Sequence, residues 1–263
     1  MTNIPMRLRP HVDVQVPQTA MVLAAGLGKR MRPLTATRPK PLVRVGGRTL
    51  LDRALDRVAE AGIGTAVVNA HYFADQIEAA LAKRAAKAAA SGERLELRCS
   101  DERARLLETG GGVMNAMPLI DADPFYVINA DNFWIDGSQD TLRLLARRWD
   151  EGTMDALLLL VPLARAHGYE GRGDFHMDGW GRLRKRADGL LGDVRMAPFV
   201  YSGVQLIAKR LFDGEAAVPF TMWRAWDKAL AAGRLYGVVH QGLWFHVGTP
   251  ASIGETEALL NVL

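Results

Sequence analysis

The sequence predicts an α/β protein built on a doubly wound, predominantly parallel mixed sheet with helices on both faces. From residue 20 onward, short apolar runs alternate with amphipathic stretches, the pattern of strands wound with helices. The first apolar run breaks directly into glycines and cations, at the strand end where open α/β sheets bind ligands. The second half carries a hairpin signal at Asp178-Gly179, which brings antiparallel strands into the sheet.

Residues 20–25 are continuously apolar, as a strand covered on both faces requires. Residues 50–61 set Leu51, Ala54, Leu55 and Val58 at helical spacing and stop at Gly62, a C-terminal cap. Residues 65–69 read as the next strand, 73–90 as the next helix and 95–99 as an alternating strand-like run. The strand signal returns at 125–129, a helix with Ser138 at its start covers 138–149, and 156–161 is again an apolar strand. Residues 174–186 read as a hairpin and 199–207 as a strand. Thr249 as N-cap and Pro250 at the first helical position open a last helix reaching about Leu260. Residues 1–18, with Pro5, Pro10 and Pro17, are expected to form an extended tail, and nothing in 19–263 marks a second domain.

The chain has 263 residues, 49% hydrophobic and 24% charged, enough apolar material for one large core. No run approaches the roughly 20 consecutive apolar residues of a membrane span. The tail carries Arg7, Arg9, His11 and Asp13 where a secretory signal needs an apolar centre, so a cytoplasmic location is expected. The single cysteine, Cys99, excludes an intramolecular disulfide, and its place in a strand-like run points to packing. The formal charge of +4 demands no nucleic acid partner, but the cations are unevenly spread. Lys29, Arg30, Arg32, Arg38, Lys40 and Arg44 lie close together, while Arg182, Arg184, Lys185 and Arg186 read as a solvated hairpin edge, with a nucleic-acid patch as the alternative.

In Leu23-Ala24-Ala25-Gly26-Leu27-Gly28-Lys29-Arg30-Met31-Arg32-Pro33, a buried strand gives way to phosphate chemistry. Gly26 and Gly28 let the backbone approach a polyphosphate, and Lys29 and Arg30 can neutralise its oxygens. A dinucleotide fingerprint would need glycine where Met31 stands, and a Walker loop would need Ser or Thr where Arg30 follows Lys29. Downstream, Lys40 stands between Pro39 and Pro41, whose fixed φ angles stiffen the loop around it.

Gly26-x-Gly28-x-Arg30-Met31-Arg32-Pro33-Leu34-Thr35, followed by Pro39-Lys40-Pro41-Leu42, resembles the signature of the sugar-1-phosphate nucleotidyltransferases. The resemblance implies a Rossmann-like fold of the nucleotide-diphospho-sugar transferase type. It further implies that Gly28, Lys29 and Arg30 hold a triphosphate, that Arg30 stabilises charge at the reacting α-phosphate, and that Lys40 binds phosphate during transfer. Leu107-Glu108-Thr109-Gly110-Gly111-Gly112, Asn129-Ala130-Asp131, Gly171-Arg172-Gly173-Asp174-Phe175, Tyr201-Ser202-Gly203 and Val247-Gly248-Thr249 narrow the likeness. Together they resemble the N-acetylmuramate-1-phosphate uridylyltransferases of bacterial cell-wall recycling. UTP and a sugar 1-phosphate are then the expected partners. Nucleotide contacts are expected at Leu23, Ala24, Ala25, Thr109, Gly110 and Asn129 as well, and sugar contacts at Gly111, Gly112, Arg172, Asp174 and Ser202. Residues 109–112 precede a short helical stretch at 113–117 and are expected to offer backbone N–H groups to the base, ribose or sugar, with a plain loop as the alternative.

Asp131 follows a strand end, where a carboxylate suits Mg²⁺, and the resemblance gives it the metal. One departure stands out. The family has aspartate as a second ligand in Trp-x-Asp-x-Gly-Thr, whereas this chain has His246 in Trp244-Phe245-His246-Val247-Gly248-Thr249. Imidazole is a poor ligand for Mg²⁺ and a better one for Mn²⁺ or Co²⁺. Three readings stay open: a shifted metal preference, Mg²⁺ held by Asp131 with water and phosphate, or a weakened enzyme. The alternatives for function are transfer to glucose 1-phosphate or mannose 1-phosphate with UTP, dTTP or GTP, and a nucleotide-sugar binding protein without turnover. The oligomeric state has no signature in the sequence.

Overall fold

A computed structural model describes residues 14–186 and 196–262. Residues 1–13 of the expected tail lie outside the described residues. Four parallel strands form the centre: β1 (Thr19–Leu23), β4 (Thr65–Ala70), β5 (Glu96–Asp101) and β6 (Phe125–Asn129), in the order β5-β4-β1-β6. β11 (Phe199–Ile207) runs antiparallel to β6, β8 (Ala156–Pro162) antiparallel to β11, and β12 (Leu235–Val239) parallel to β8. The hairpin β9 (Phe175–Met177) and β10 (Leu183–Lys185) adds to the other end of β11. The sheet is thus mixed and mostly parallel in its first half, as the sequence predicts.

Period-two burial divides the strands between two helical layers. Ala20, Val22, Ala66, Val68, Tyr126 and Ile128 face α1 (Leu50–Glu60), α2 (Ala74–Ser91) and α4 (Thr141–Arg148). Met21, Val67, Phe125 and Val127 face α3 (Glu108–Ala116) and α5 (Trp223–Ala231). Both faces are covered, which is why these strands read as unbroken apolar runs. A small separate cluster joins Met31, Val43, Val45 and Leu50 to Phe133, Phe245 and Val247. It seats two ribbons outside the main sheet: β2 (Arg44–Val45) with β3 (Arg48–Thr49), and β7 (Asn132–Ile135) with β13 (Leu243–His246). The last helix, α6 (Pro250–Leu260), starts with the expected Thr249 cap and forms a capping box with Ser252.

Several local expectations need correction. The helix expected to begin at Ser138 begins at Thr141, because the Asp140 carboxylate accepts from the Arg143 N–H and takes the cap. Residues 109–112 are not a loop but the first turns of α3. The hairpin connection does contain the Asp178-Gly179 signal. It spans residues 178–182, with the Asp178 side chain accepting from the N–H groups of Trp180 and Arg182. In the cation group on that hairpin, Arg184 is exposed, Lys185 pairs with Asp227 and lies over Trp223, and Arg182 donates to the Tyr236 hydroxyl. Cys99 is half-buried against the core, and burial, then Glu78 and Asp101, pushes its thiol up, as suits a packing residue. No helix among the described residues is long and apolar enough to cross a membrane.

Candidate active site

The chain goes from β1 outward to β4 and β5, then returns to place β6 on the other side of β1, with Leu23 opposite Asn129. Their carboxyl ends therefore part at a topological switch point, where a crevice opens. Ala24, Gly26, Gly28, Lys29 and Arg30 after β1 and Asp131 after β6 line it, together with Leu23, Lys40 and Gly248. Gly28 adopts φ of 59°, a left-handed conformation that disfavours side chains, and a Cβ there would stand 3.0 Å from the Lys40 Cβ. The Thr35 hydroxyl donates to the Gly28 carbonyl at 2.8 Å and fixes the bend. The following turn, Lys29–Met31, buries Met31 in the small cluster and leaves Lys29 and Arg30 exposed.

Lys40 begins another short turn between its two prolines and is only 6% exposed. Its Nζ donates to Asp131 Oδ2 at 2.9 Å. Burial pushes the Asp131 carboxyl up, but Lys40 and then His246 more than offset this, so its pKa lies below the ordinary value. The pair is an ammonium and a carboxylate held together in the crevice before any phosphate arrives. His246 ends β13, and its Nδ1 lies 2.9 Å from Asn132 Oδ1, so Nδ1 carries the proton and Nε2 keeps its lone pair. Burial lowers the imidazole pKa, with Lys40 and Arg30 adding to the effect and Asp131 opposing it. The shift favours the neutral ring. A Cβ at Gly248 would stand 2.6 Å from His246 Nε2, so a side chain there would push the ring aside.

With one Asp131 oxygen engaged by Lys40, the other and His246 Nε2 are the donors a cation would find. Among the described residues no group of three or more His, Cys, Asp or Glu side chains is arranged to hold a metal. Two such donors are too few for an all-protein cage, so a divalent cation here would be shared with substrate phosphates and water.

The structure gathers the phosphate-loop residues, Lys40, Asp131 and His246, with Asn129 at the adjoining strand end. Ala25, buried, lies in the same loop. Thr109, Gly110, Gly111, Gly112, Arg172, Asp174 and Ser202 do not line this crevice. The Gly110 and Gly111 N–H groups both donate to the Phe220 carbonyl, and the Thr109 hydroxyl accepts from the Met222 N–H, so these groups serve the α3–α5 packing. Gly111 and Gly112 are buried, the first against the Val218 carbonyl and the second against Glu102 and Asn69. Ser202 is fully buried, its hydroxyl accepting from the Val204 N–H. Asp174 Oδ2 accepts from the Tyr201 N–H at 2.9 Å, and Arg172 is exposed at the hairpin entrance.

Two residues that no sequence motif singled out tie the start of the phosphate loop to the ends of β4 and β5. Asn69 Oδ1 accepts from the Ala24 N–H at 2.6 Å, and Asn69 Nδ2 donates to Glu102 Oε1 at 2.7 Å. Both side chains are 2% exposed, and Glu102 also accepts from the Leu107 N–H. The signal was a polar asparagine closing an apolar strand. The Tyr201 hydroxyl is buried without a hydrogen-bond partner among the described residues, and burial and Asp131 raise its pKa.

A glycine-and-cation loop at the switch point of an α/β sheet, facing a lysine–aspartate pair, is the arrangement of a transferase acting on a nucleotide's phosphate groups. The chain belongs to the nucleotidyl transferase family, whose profile matches residues 19–171. It is 42% identical over 246 residues to an N-acetylmuramate alpha-1-phosphate uridylyltransferase of Caulobacter vibrioides, covering 94% of this chain and 98% of the relative. A protein of the same name from Neisseria meningitidis is 32% identical, covering 91% and 97% of the two chains. Among solved structures, a UDP-glucose pyrophosphorylase complexed with UDP-glucose superposes with a TM-score of 0.74 at 15% identity, over 94% of this chain and 99% of that one. That likeness establishes the fold.

Proposed function

We propose that the enzyme joins UTP to N-acetylmuramic acid 1-phosphate, giving UDP-N-acetylmuramic acid and pyrophosphate in the cytoplasm. The observation that carries the reading is the Lys40–Asp131 pair, 2.9 Å apart at the mouth of the Gly26–Arg30 loop. The choice of sugar and base is supported by the two relatives that bear the uridylyltransferase name over almost their full length.

In this reading an oxygen of the sugar phosphate attacks the α-phosphorus of UTP, the bond to the β-phosphate oxygen breaks, and pyrophosphate leaves in line. The loop N–H groups around Gly26 and Gly28 orient the triphosphate, while Lys29 and Arg30 balance its charge. Lys40 is placed to share its ammonium between Asp131 and the phosphate oxygens, so charge developing in transfer meets a donor already desolvated. Asp131 is the residue that would hold a divalent cation, with His246 beside it, and a bound Mg²⁺ would neutralise phosphate oxygens. The uracil and ribose lie in this reading along Leu23–Ala25 and Asn129, and the muramic acid toward Arg172, whose guanidinium suits the lactyl carboxylate.

The test is a pyrophosphate-release assay that crosses UTP, dTTP, CTP and GTP with N-acetylmuramic acid, glucose and mannose 1-phosphates. UTP with N-acetylmuramic acid 1-phosphate is expected to give the highest kcat/KM. Faster turnover of glucose or mannose 1-phosphate would transfer the assignment to that sugar.

A further inference from the structure

A second cleft lies between α2 and the segment around the β2–β3 hairpin, and it shares no lining residue with the crevice around Lys40 and Asp131. Six cations line it, Arg38, Arg44, Arg48, Lys83, Arg84 and Lys87, against one carboxylate, Asp52. Asp52 is engaged by the Thr49 hydroxyl at 2.7 Å. Arg48 and Arg84 are neutralised from behind, both by Asp56, and Arg84 by Glu93 as well. Arg38, Arg44, Lys83 and Lys87 form no ion pair among the described residues.

This arrangement opposes stability. Lys83 and Lys87 are spaced i, i+4 on α2, where like charges repel, and the hairpin brings two arginines against the same hollow. A face that needed only solubility would spread these charges. Arginine forks and lysine ammonium groups converging from two elements match the oxygens of a phosphate chain, and the Thr37 hydroxyl adds a neutral donor at the rim. The concave shape suits a small anion, whereas a nucleic acid backbone is tracked by an open stripe of cations.

We infer that this cleft is a second binding site, for a small polyphosphate anion: an inorganic polyphosphate, or the phosphate groups of a nucleotide or phosphosugar. It stands beside the reacting centre, since Arg38 and Leu42 flank Lys40 by two residues on either side and Gln76 of α2 donates to the Thr37 carbonyl at 2.9 Å.

Inorganic tripolyphosphate is the probe, titrated calorimetrically at low salt into the wild type and into Lys83→Glu/Lys87→Glu. Two sites per chain are expected in the wild type and one in the double variant, which should keep kcat and KM within about twofold. Lys83→Gln/Lys87→Gln serves if the charge reversal impairs folding, with the same loss expected. The titration needs no turnover, so it stands or falls separately from the substrate assignment. Uridine diphosphate and a sugar bisphosphate, run the same way, identify the source of the phosphate by which one fills the second site. A single site in the wild type, or two sites persisting in both variants, would overturn the inference. So would tighter binding of a short duplex DNA than of tripolyphosphate, lost in the same variants.

Discussion

Lys40 has its hydrocarbon stem buried and its charge directed at Asp131, so removing either partner strands the other. Lys40→Ala is expected to lower kcat at least about a hundredfold, because it deletes a desolvated cation from a phosphoryl-transfer site. Circular dichroism would confirm that the fold persists, and a loss under threefold in both kcat and kcat/KM would remove Lys40 from the mechanism. His246 tests the metal. Its Nε2 is a weak partner for a hard cation, whereas Asp131 offers charge, so Asp131→Asn should be far more damaging than His246→Ala. His246→Asp should shift preference toward Mg²⁺ in rates measured with Mg²⁺, Mn²⁺ and Co²⁺. Equal losses in Asp131→Asn and His246→Ala under every metal would show that neither presents the ion.

The triple glycine gains its meaning at the scale of the element. α3 packs so closely on the segment before α5 that a Cβ at Gly111 would stand 2.1 Å from the Val218 carbonyl oxygen. In an open helix, Gly→Ala stabilises by about 0.5–1 kcal/mol. Gly254 of α6, with nothing within 4 Å of its virtual Cβ, should behave so. Gly111→Ala should instead destabilise by about 2 kcal/mol, the scale of an overpacked core. Urea unfolding of the two variants checks the opposite signs. Glu102, against Gly112, sets a pH dependence. Burial raises its carboxyl above the ordinary 4.5, with Asn69 and the Leu107 N–H opposing. A raised folded-state value means that its contribution is complete below pH 4.5 and is lost as pH rises through the folded value. The unfolding free energy of wild type minus that of Glu102→Gln should therefore fall with pH across that window. A rise would contradict it.

For the whole molecule, the antiparallel half of the sheet depends on one carboxylate. Asp155 Oδ1 accepts from Arg210 Nε and Arg234 Nε, each at 2.7 Å. The same guanidinium groups donate to the carbonyls of Met154 and Gly152. The ends of β8, β11 and β12 meet there, since the Asp155 backbone also bonds to Arg234 and Ala208. Asp155→Ala removes the shared acceptor of two partly solvated guanidinium groups and should cost about 2 kcal/mol, seen as a melting temperature lower by roughly 4–8 °C. An unchanged melting temperature would show that solvent compensates both guanidinium groups.

Local chemistry determined a good part of this protein. Apolar runs specified β1, β6, β8 and β11, because strands covered on both faces have no polar side to display. Gly28, the two prolines around Lys40, and Asp131 after a strand end announced the phosphate site, because each is a backbone or charge requirement met within a few residues. The short strands β7, β12 and β13 and helix α5 went unread, being too brief or too irregular in pattern to declare themselves. Only tertiary structure turned 109–112 into helix and drew its glycines inward, because the reason lies in Phe220 and Val218, more than a hundred residues away in sequence. Likewise, Lys40 and Asp131 are 91 residues apart and become a pair only once β6 returns beside β1. Asn69 and Glu102, unremarkable in their own segments, become a scaffold when β4 and β5 align, because a hydrogen bond between distant residues depends on register and burial that no local pattern encodes.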